Sequence, residues 1–155
     1  WDAAAQAAWI GIDNTGSTND LFISYDDEHH RLAIAAIPGL EDPNPKSAGV
    51  EHFAFTFETI DDLFAQYEKM SARGCKPYWT INHGFTLSAY YRDPEGNQVE
   101  TQVDTLSLDD ADAFMQGPLF AANPIGINVD FDVLIERRRN GATFAELTDY
   151  ATAGQ

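Results

Sequence analysis

Cysteine is nearly absent. The one residue, Cys75, allows neither an intrachain disulfide nor a cysteine-rich zinc cluster, and a reducing cytoplasm suits such a chain. Basic residues are also scarce, 9 Lys and Arg against 25 Asp and Glu, for a net charge of -16. A surface this acidic repels nucleic-acid phosphates and anionic lipid, so neither a nucleic acid nor a membrane is expected as a partner. No stretch approaches the roughly 18 apolar residues of a spanning helix, and no secretory leader pattern is visible. The composition is that of a globular chain, with 44% hydrophobic and 12% aromatic residues in 155, enough for one domain with a true core. The chain opens on Trp1 rather than Met, and a natural segment upstream of it is expected.

The first forty residues are weakly patterned. Residues 3–8 read as the end of a helix, and 9–12 and 21–25 as strands on either side of a polar loop at 13–20. An acidic turn, Asp26-Asp27-Glu28, leads to a strand over 30–37 that Pro38-Gly39 stops. After a Pro- and Asn-rich loop the signal sharpens. Residues 50–57 are strong β formers. Thr59 then caps a helix whose first turn is acidic, whose apolar residues Leu63, Phe64, Tyr67 and Met70 fall at helical spacing, and which Gly74 ends. Strands follow over 76–81, 85–91 and 98–103, the last two joined by the turn Asp93-Pro94-Glu95-Gly96-Asn97. The order is β-α-β-β-β. Beyond residue 105 the chain reads as a helical tail: a turn of helix at 109–115, a turn at Asn123-Pro124-Ile125-Gly126, and helices over 130–139 and 143–150. It is expected to cap the sheet or a partner subunit.

All four histidines, 29, 30, 52 and 83, fall in or beside these strands. Side chains alternate across a strand, so His52, Ala54 and Thr56 share one face, and Phe53, Phe55 and Phe57 share the other. The aromatic set is expected to bury against the helix, which turns His52 to the opposite side. Gln98, Glu100 and Gln102 form a similar polar set, as do Thr86, Ser88 and Tyr90. A curved sheet would gather these into one concavity, where imidazole and carboxylate suit a non-haem divalent iron with open positions. Blander readings stand beside this one. A strand histidine is more often a satisfied, partly buried side chain than a ligand, a strand glutamate usually faces solvent, and Tyr90, Trp79 and Phe85 each suit a core. Asp61 and Asp62 answer the helix dipole, and Cys75 has no base near it in sequence.

Three segments together resemble a known family. Tyr25-Asp26-Asp27-Glu28-His29-His30-Arg31-Leu32-Ala33-Ile34-Ala35 is similar to the His-His strand of type I extradiol dioxygenases of the vicinal oxygen chelate superfamily. Gly49-Val50-Glu51-His52-Phe53-Ala54-Phe55 with Thr59-Ile60-Asp61-Asp62-Leu63 is similar to their metal-histidine strand and helix. Ser88-Ala89-Tyr90-Tyr91-Arg92-Asp93-Pro94-Glu95-Gly96-Asn97-Gln98-Val99-Glu100 is similar to the strand pair carrying a tyrosine and the metal glutamate. The likeness spans roughly residues 21–104, and Asn123-Pro124-Ile125-Gly126 resembles the tail of small one-domain members.

The resemblance implies an α+β fold of paired βαβββ modules forming a cupped sheet around a metal. Residues 1–155 would form a single domain: 1–40 the remainder of a truncated first module, 49–104 the second module, and 105–155 a C-terminal extension. It implies His52 and Glu100 as ligands of Fe(II), with Mn(II) as the alternative, and O2 as co-substrate. It further implies His30 as the acid/base, Tyr90 as a donor to the substrate, and His83 as a pocket residue. The implied reaction is ring cleavage of a catechol-type aromatic diol. The family's second metal histidine has no counterpart, since no histidine precedes His29. It is expected upstream of Trp1, the alternative being a degenerate site. The same fold also carries metal-dependent isomerases or epimerases, which consume no oxygen, and non-catalytic binding modules, which usually lack metal ligands. A homo-oligomer is expected from the open sheet edges.

Overall fold

The computed structural model describes residues 10–14, 18–23, 31–35, 39, 41, 44, 46 and 48–153. The stretch expected as a helix end, 3–8, and the His29-His30 pair lie outside the described residues. The chain divides into two compact units, Trp1–Pro45 and Lys46–Gln155.

In the first unit β1 (Ile10–Asn14), β2 (Thr18–Ile23) and β3 (Leu32–Ala35) form an antiparallel sheet in that order. Pairing runs from Ile10↔Phe22 to Asn14↔Thr18. It therefore takes in Asp13, Asn14 and Thr18 to Asp20, which the sequence reading assigned to a polar loop. Antiparallel pairing satisfies backbone donors and acceptors whatever the side chains are. A polar strand escapes pattern reading because strand preference mostly reflects one face being buried.

The second unit carries the expected β-α-β-β-β order: β4 (His52–Phe57), α1 (Ile60–Ala72), β5 (Trp79–Asn82), β6 (Thr86–Arg92) and β7 (Gln98–Asp104). The sheet order is β4-β7-β6-β5-β8, with β4 parallel to β7 and the other neighbours antiparallel. The Thr59 hydroxyl accepts from the Asp62 backbone N–H at 3.1 Å, which caps α1. Gly74, at φ +81°, follows its last turn in the left-handed region that a side chain disfavours. Ile60, Leu63, Phe64 and Tyr67 pack against Leu87, Ala89, Tyr91 and Val103, the face of β6 and β7 opposite Ser88, Tyr90 and Glu100. Phe57 joins this core, but Phe53 and Phe55 are 49% and 37% exposed, not buried as the alternation argument expected. The reason is position. β4 is the edge strand of this sheet, and α1 lies over the inner strands, so the outer rings of β4 fall beyond its cover.

The C-terminal residues build onto this same unit. The helices are α2 (Leu108–Met115), α3 (Pro118–Ala122), α4 (Phe131–Arg139) and α5 (Phe144–Thr148), and β8 (Ile127–Asn128) pairs with β5. Phe131, fully buried, meets Phe64 and Tyr67 at ring separations of 5.5 and 5.4 Å. The Tyr67 hydroxyl donates to Asp132 Oδ1 at 2.9 Å, and Arg138 forks Asp61 at 2.8 and 2.7 Å. The tail is thus an integral layer over α1 of its own chain. Neither α3 nor β8 is long enough to show a hydrophobic period in sequence.

Candidate metal-binding site

Register brings the polar sets together. Tyr90 stands opposite Glu100 across β6 and β7, Ser88 opposite Gln102, and Ala54 of β4 beside Glu100. His52 begins β4, and its Nε2 lies 3.0 Å from Glu100 Oε2. Glu100 is 3% exposed, and His52 is its ion-pair partner among the described residues. Glu51 meets the other ring nitrogen, with its carboxylate on His52 Nδ1. The histidine holds the Glu51 carboxyl below its usual range, with a smaller contribution from a hydrogen bond to Gln98.

This arrangement tests whether a metal suits the site. A carboxylate on Nδ1 selects the tautomer with the proton there and leaves Nε2 a lone pair. That lone pair then faces a buried carboxylate oxygen at 3.0 Å, two acceptors with a proton or a cation needed between them. Metal-bound histidines characteristically have their second nitrogen fixed by such a carboxylate. One imidazole nitrogen and one carboxylate oxygen are also the donors that divalent iron or manganese accepts. The pair therefore fits a divalent cation. Among the described residues no group of three or more His, Cys, Asp and Glu side chains gathers to complete a set.

Aromatic rings wall the pair. Tyr90 stands edge-on to His52 at 5.5 Å and stacks on Trp79 at 4.9 Å. The Trp79 ring N–H donates to Asn128 Oδ1 at 2.7 Å, so β8 holds it. Burial, and after it the Glu100 carboxylate, push the Tyr90 phenol well above its usual range. His83 does not join the His52–Glu100 pair directly. Its Nε2 lies 3.1 Å from the Tyr90 hydroxyl, its Nδ1 2.5 Å from the Ile125 carbonyl, and its ring stacks on Phe85 at 6.0 Å. Two open cavities of about 360 Å³ lie elsewhere, one between α4 and α5 and one beside Tyr67 and Lys76, and neither takes in His52 or Glu100.

Of the residues singled out in sequence, the structure brings together His52, Glu100 and Tyr90, with His83 behind Tyr90. His30 lies outside the described residues. Glu51 received no role in the sequence reading. Strand alternation turns a neighbour of His52 to the opposite face, but β4 starts at His52, and Glu51, just outside the strand, is free to turn back. The Ile125 carbonyl and Asn128 were also missed, since their partners, His83 and Trp79, lie 42 and 49 residues away.

The family model described as Glyoxalase/Bleomycin resistance protein/Dioxygenase superfamily matches residues 13–101. The sequence is also similar to two proteins of Rhodococcus globerulus. It is 42% identical over 134 residues to Biphenyl-2,3-diol 1,2-dioxygenase 2, an alignment covering 85% of this chain and 70% of that protein. To Biphenyl-2,3-diol 1,2-dioxygenase 3 it is 37% identical over 135 residues, covering 85% and 71%.

Proposed function

This chain belongs to the glyoxalase/bleomycin resistance protein/dioxygenase superfamily, and from that premise we propose that it is an extradiol dioxygenase, opening the ring of a catechol-type aromatic diol beside the diol with O2. The observation that carries the reading is the convergence of His52 Nε2 and buried Glu100 Oε2 at 3.0 Å in a chain so similar to enzymes of that name.

His52 and Glu100 would hold the metal, Fe(II), with Mn(II) as the alternative. When bound, the ion supplies Lewis acidity toward the two diol oxygens and a template for O2. The chain's own residues do the rest. Glu51 keeps the His52 ring in one tautomer and orientation. Trp79, half-buried and stacked on Tyr90, offers a flat apolar surface suited to an aromatic ring. The raised Tyr90 phenol stays protonated at neutral pH, so it keeps one proton to donate. His30 is proposed as the acid/base for the diol proton, a task that imidazole suits near neutral pH. Residues 1–155 are proposed to act as one domain and to assemble as a homo-oligomer in the cytoplasm. Among the described residues no helix is long and apolar enough to cross a membrane.

Oxygen uptake with 2,3-dihydroxybiphenyl by the Fe(II)-loaded protein tests the reaction. Uptake with appearance of a yellow ring-opened product is expected. Stoichiometric metal without uptake of oxygen on any catechol would move the reading to an isomerase or epimerase of this fold, and failure to hold metal at all would move it to a binding module. His30→Ala is expected to slow turnover strongly with iron retained, and loss of iron in that variant would make His30 a ligand instead.

A further inference from the structure

Tyr90 has one hydroxyl proton to place. Glu100 stands opposite it across β6 and β7. On its other side His83 Nε2 lies 3.1 Å from the phenol oxygen. Whether His83 accepts that proton depends on its tautomer, because a neutral imidazole has one N–H and one lone pair. His83 Nδ1 is 2.5 Å from the Ile125 carbonyl oxygen. A carbonyl can only accept, so a bare Nδ1 there would set two lone pairs against each other. The proton must sit on Nδ1, which leaves Nε2 as an acceptor aimed at Tyr90.

The frame that imposes this is hydrogen-bonded and closely packed. The Ile125 carbonyl is carried by a turn in which Asn123 accepts from the Gly126 N–H at 3.1 Å and donates to the Gly126 carbonyl at 2.6 Å. That turn presses on the backbone of residues 82–83, where a Cβ at Gly126 would lie 2.4 Å from the Asn82 carbonyl oxygen. The imidazole plane is held by Phe85, stacked at 6.0 Å, and by Trp79, edge-on at 5.9 Å.

We infer that His83 is a positioning residue for Tyr90, and that the C-terminal extension sets it: the Ile125 carbonyl locks His83 with Nδ1–H, and Nε2 takes the Tyr90 proton. Tyr90 then turns lone pairs, not its proton, toward the polar face that holds His52 and Glu100. A donor role for Tyr90 toward a bound diol requires the proton to leave His83 first. The placement of the proton stands on this geometry alone, while its consequence for turnover rests on the dioxygenase reading.

Two measurements test it. In the full chain with ¹⁵N-labelled histidine, chelator-treated so that no paramagnetic ion broadens the signals, long-range ¹H–¹⁵N spectra report the tautomer of each ring. The His83 signals, assigned by their loss in His83→Phe, are expected to show protonated Nδ1 and bare Nε2. In Tyr90→Phe the Nε2 resonance should move while the tautomer persists, because Ile125 holds it. A proton on Nε2, or an unmoved Nε2 resonance in Tyr90→Phe, overturns the inference, and this holds even if the protein consumes no oxygen. Second, His83→Phe should change kcat/KM for oxygen uptake roughly tenfold, the size of one hydrogen bond, and His83→Gln, which keeps an acceptor, should restore part of it. In a Tyr90→Phe background His83→Phe should add nothing. Full additivity of the two substitutions would make His83 a merely structural residue and overturn the proposal.

Discussion

Glu51 and Glu100 approach the His52 imidazole from its two nitrogens, and their surroundings separate their roles. Glu100 is buried opposite Tyr90, and an uncompensated carboxylate there is costly, which is the condition under which a bound cation stabilises the fold. Glu51 is exposed and acts on the ring through Nδ1. Glu100→Ala is therefore expected to yield folded protein without iron, and stoichiometric iron in the purified variant would refute the ligand assignment. Glu51→Ala should keep the site but weaken metal binding by about 10- to 100-fold, the usual effect of losing the group that orients a ligating histidine. Metal titration by competition with a chelator of known affinity measures both. His52, Glu100 and Tyr90 were legible in the sequence because alternation along β4, β6 and β7 fixes their common face. Glu51 was not, because it precedes the strand and obeys no alternation.

At the scale of elements, the tail is tied to the sheet by its turn at Gly126. This residue has φ +115°, and an added Cβ would sit 2.4 Å from the Asn82 carbonyl oxygen and 2.9 Å from His83 Cα. Both are backbone atoms that cannot rotate away. Gly126→Ala combines left-handed strain with a steric clash and is expected to destabilise by roughly 2–5 kcal/mol. Gly141, at φ +95° with nothing within 4 Å of such a Cβ, supplies the control. Gly141→Ala carries the strain alone, about 1 kcal/mol. Denaturant melts of the two variants should differ by the contact term, and equal losses would mean that the turn yields. Helix α1 was readable from its cap, its apolar period and its closing glycine, and the inner strands from their β formers and turns. Exposure of Phe53 and Phe55 was not, because whether a strand lies at an edge is decided by which strands pair, not by its own residues.

For the whole molecule, the core is reinforced by phenols that the fold keeps neutral. Burial pushes both Tyr67 and Tyr91 up to about 12 from the usual 10.0, and the Asp132 carboxylate adds to the effect at Tyr67. A raised folded-state pKa means that the contribution is intact below pH 10 and is lost as pH climbs through the window from 10 to 12, where the unfolded chain ionises first. The melting temperature is expected to fall across that window. Tyr91 has a buried hydroxyl with no well-formed hydrogen bond among the described residues. Tyr91→Phe should therefore be near neutral at pH 7 and should flatten the alkaline fall. An unchanged alkaline slope in that variant would assign the fall to other groups. Tyr67→Phe, by contrast, loses its bond to Asp132 and should destabilise at pH 7 by about 1 kcal/mol.

The sequence by itself determined the β-α-β-β-β order of the second unit, the cap of α1, and the faces on which His52, Tyr90 and Glu100 stand. Each of these is a local matter of period, cap chemistry and alternation. It also carried the motifs by which the family could be recognised. Only the tertiary structure decided what acts across long separations in the chain. It placed the tail over α1, set the Ile125 carbonyl against His83, and let β8 hold Trp79. Such contacts depend on which elements pack together, and a local pattern does not encode its distant partner. The tautomer of His83, and through it the direction of the Tyr90 proton, is the clearest case: the ring lies at the β5–β6 turn, and the group that governs it lies in the C-terminal extension.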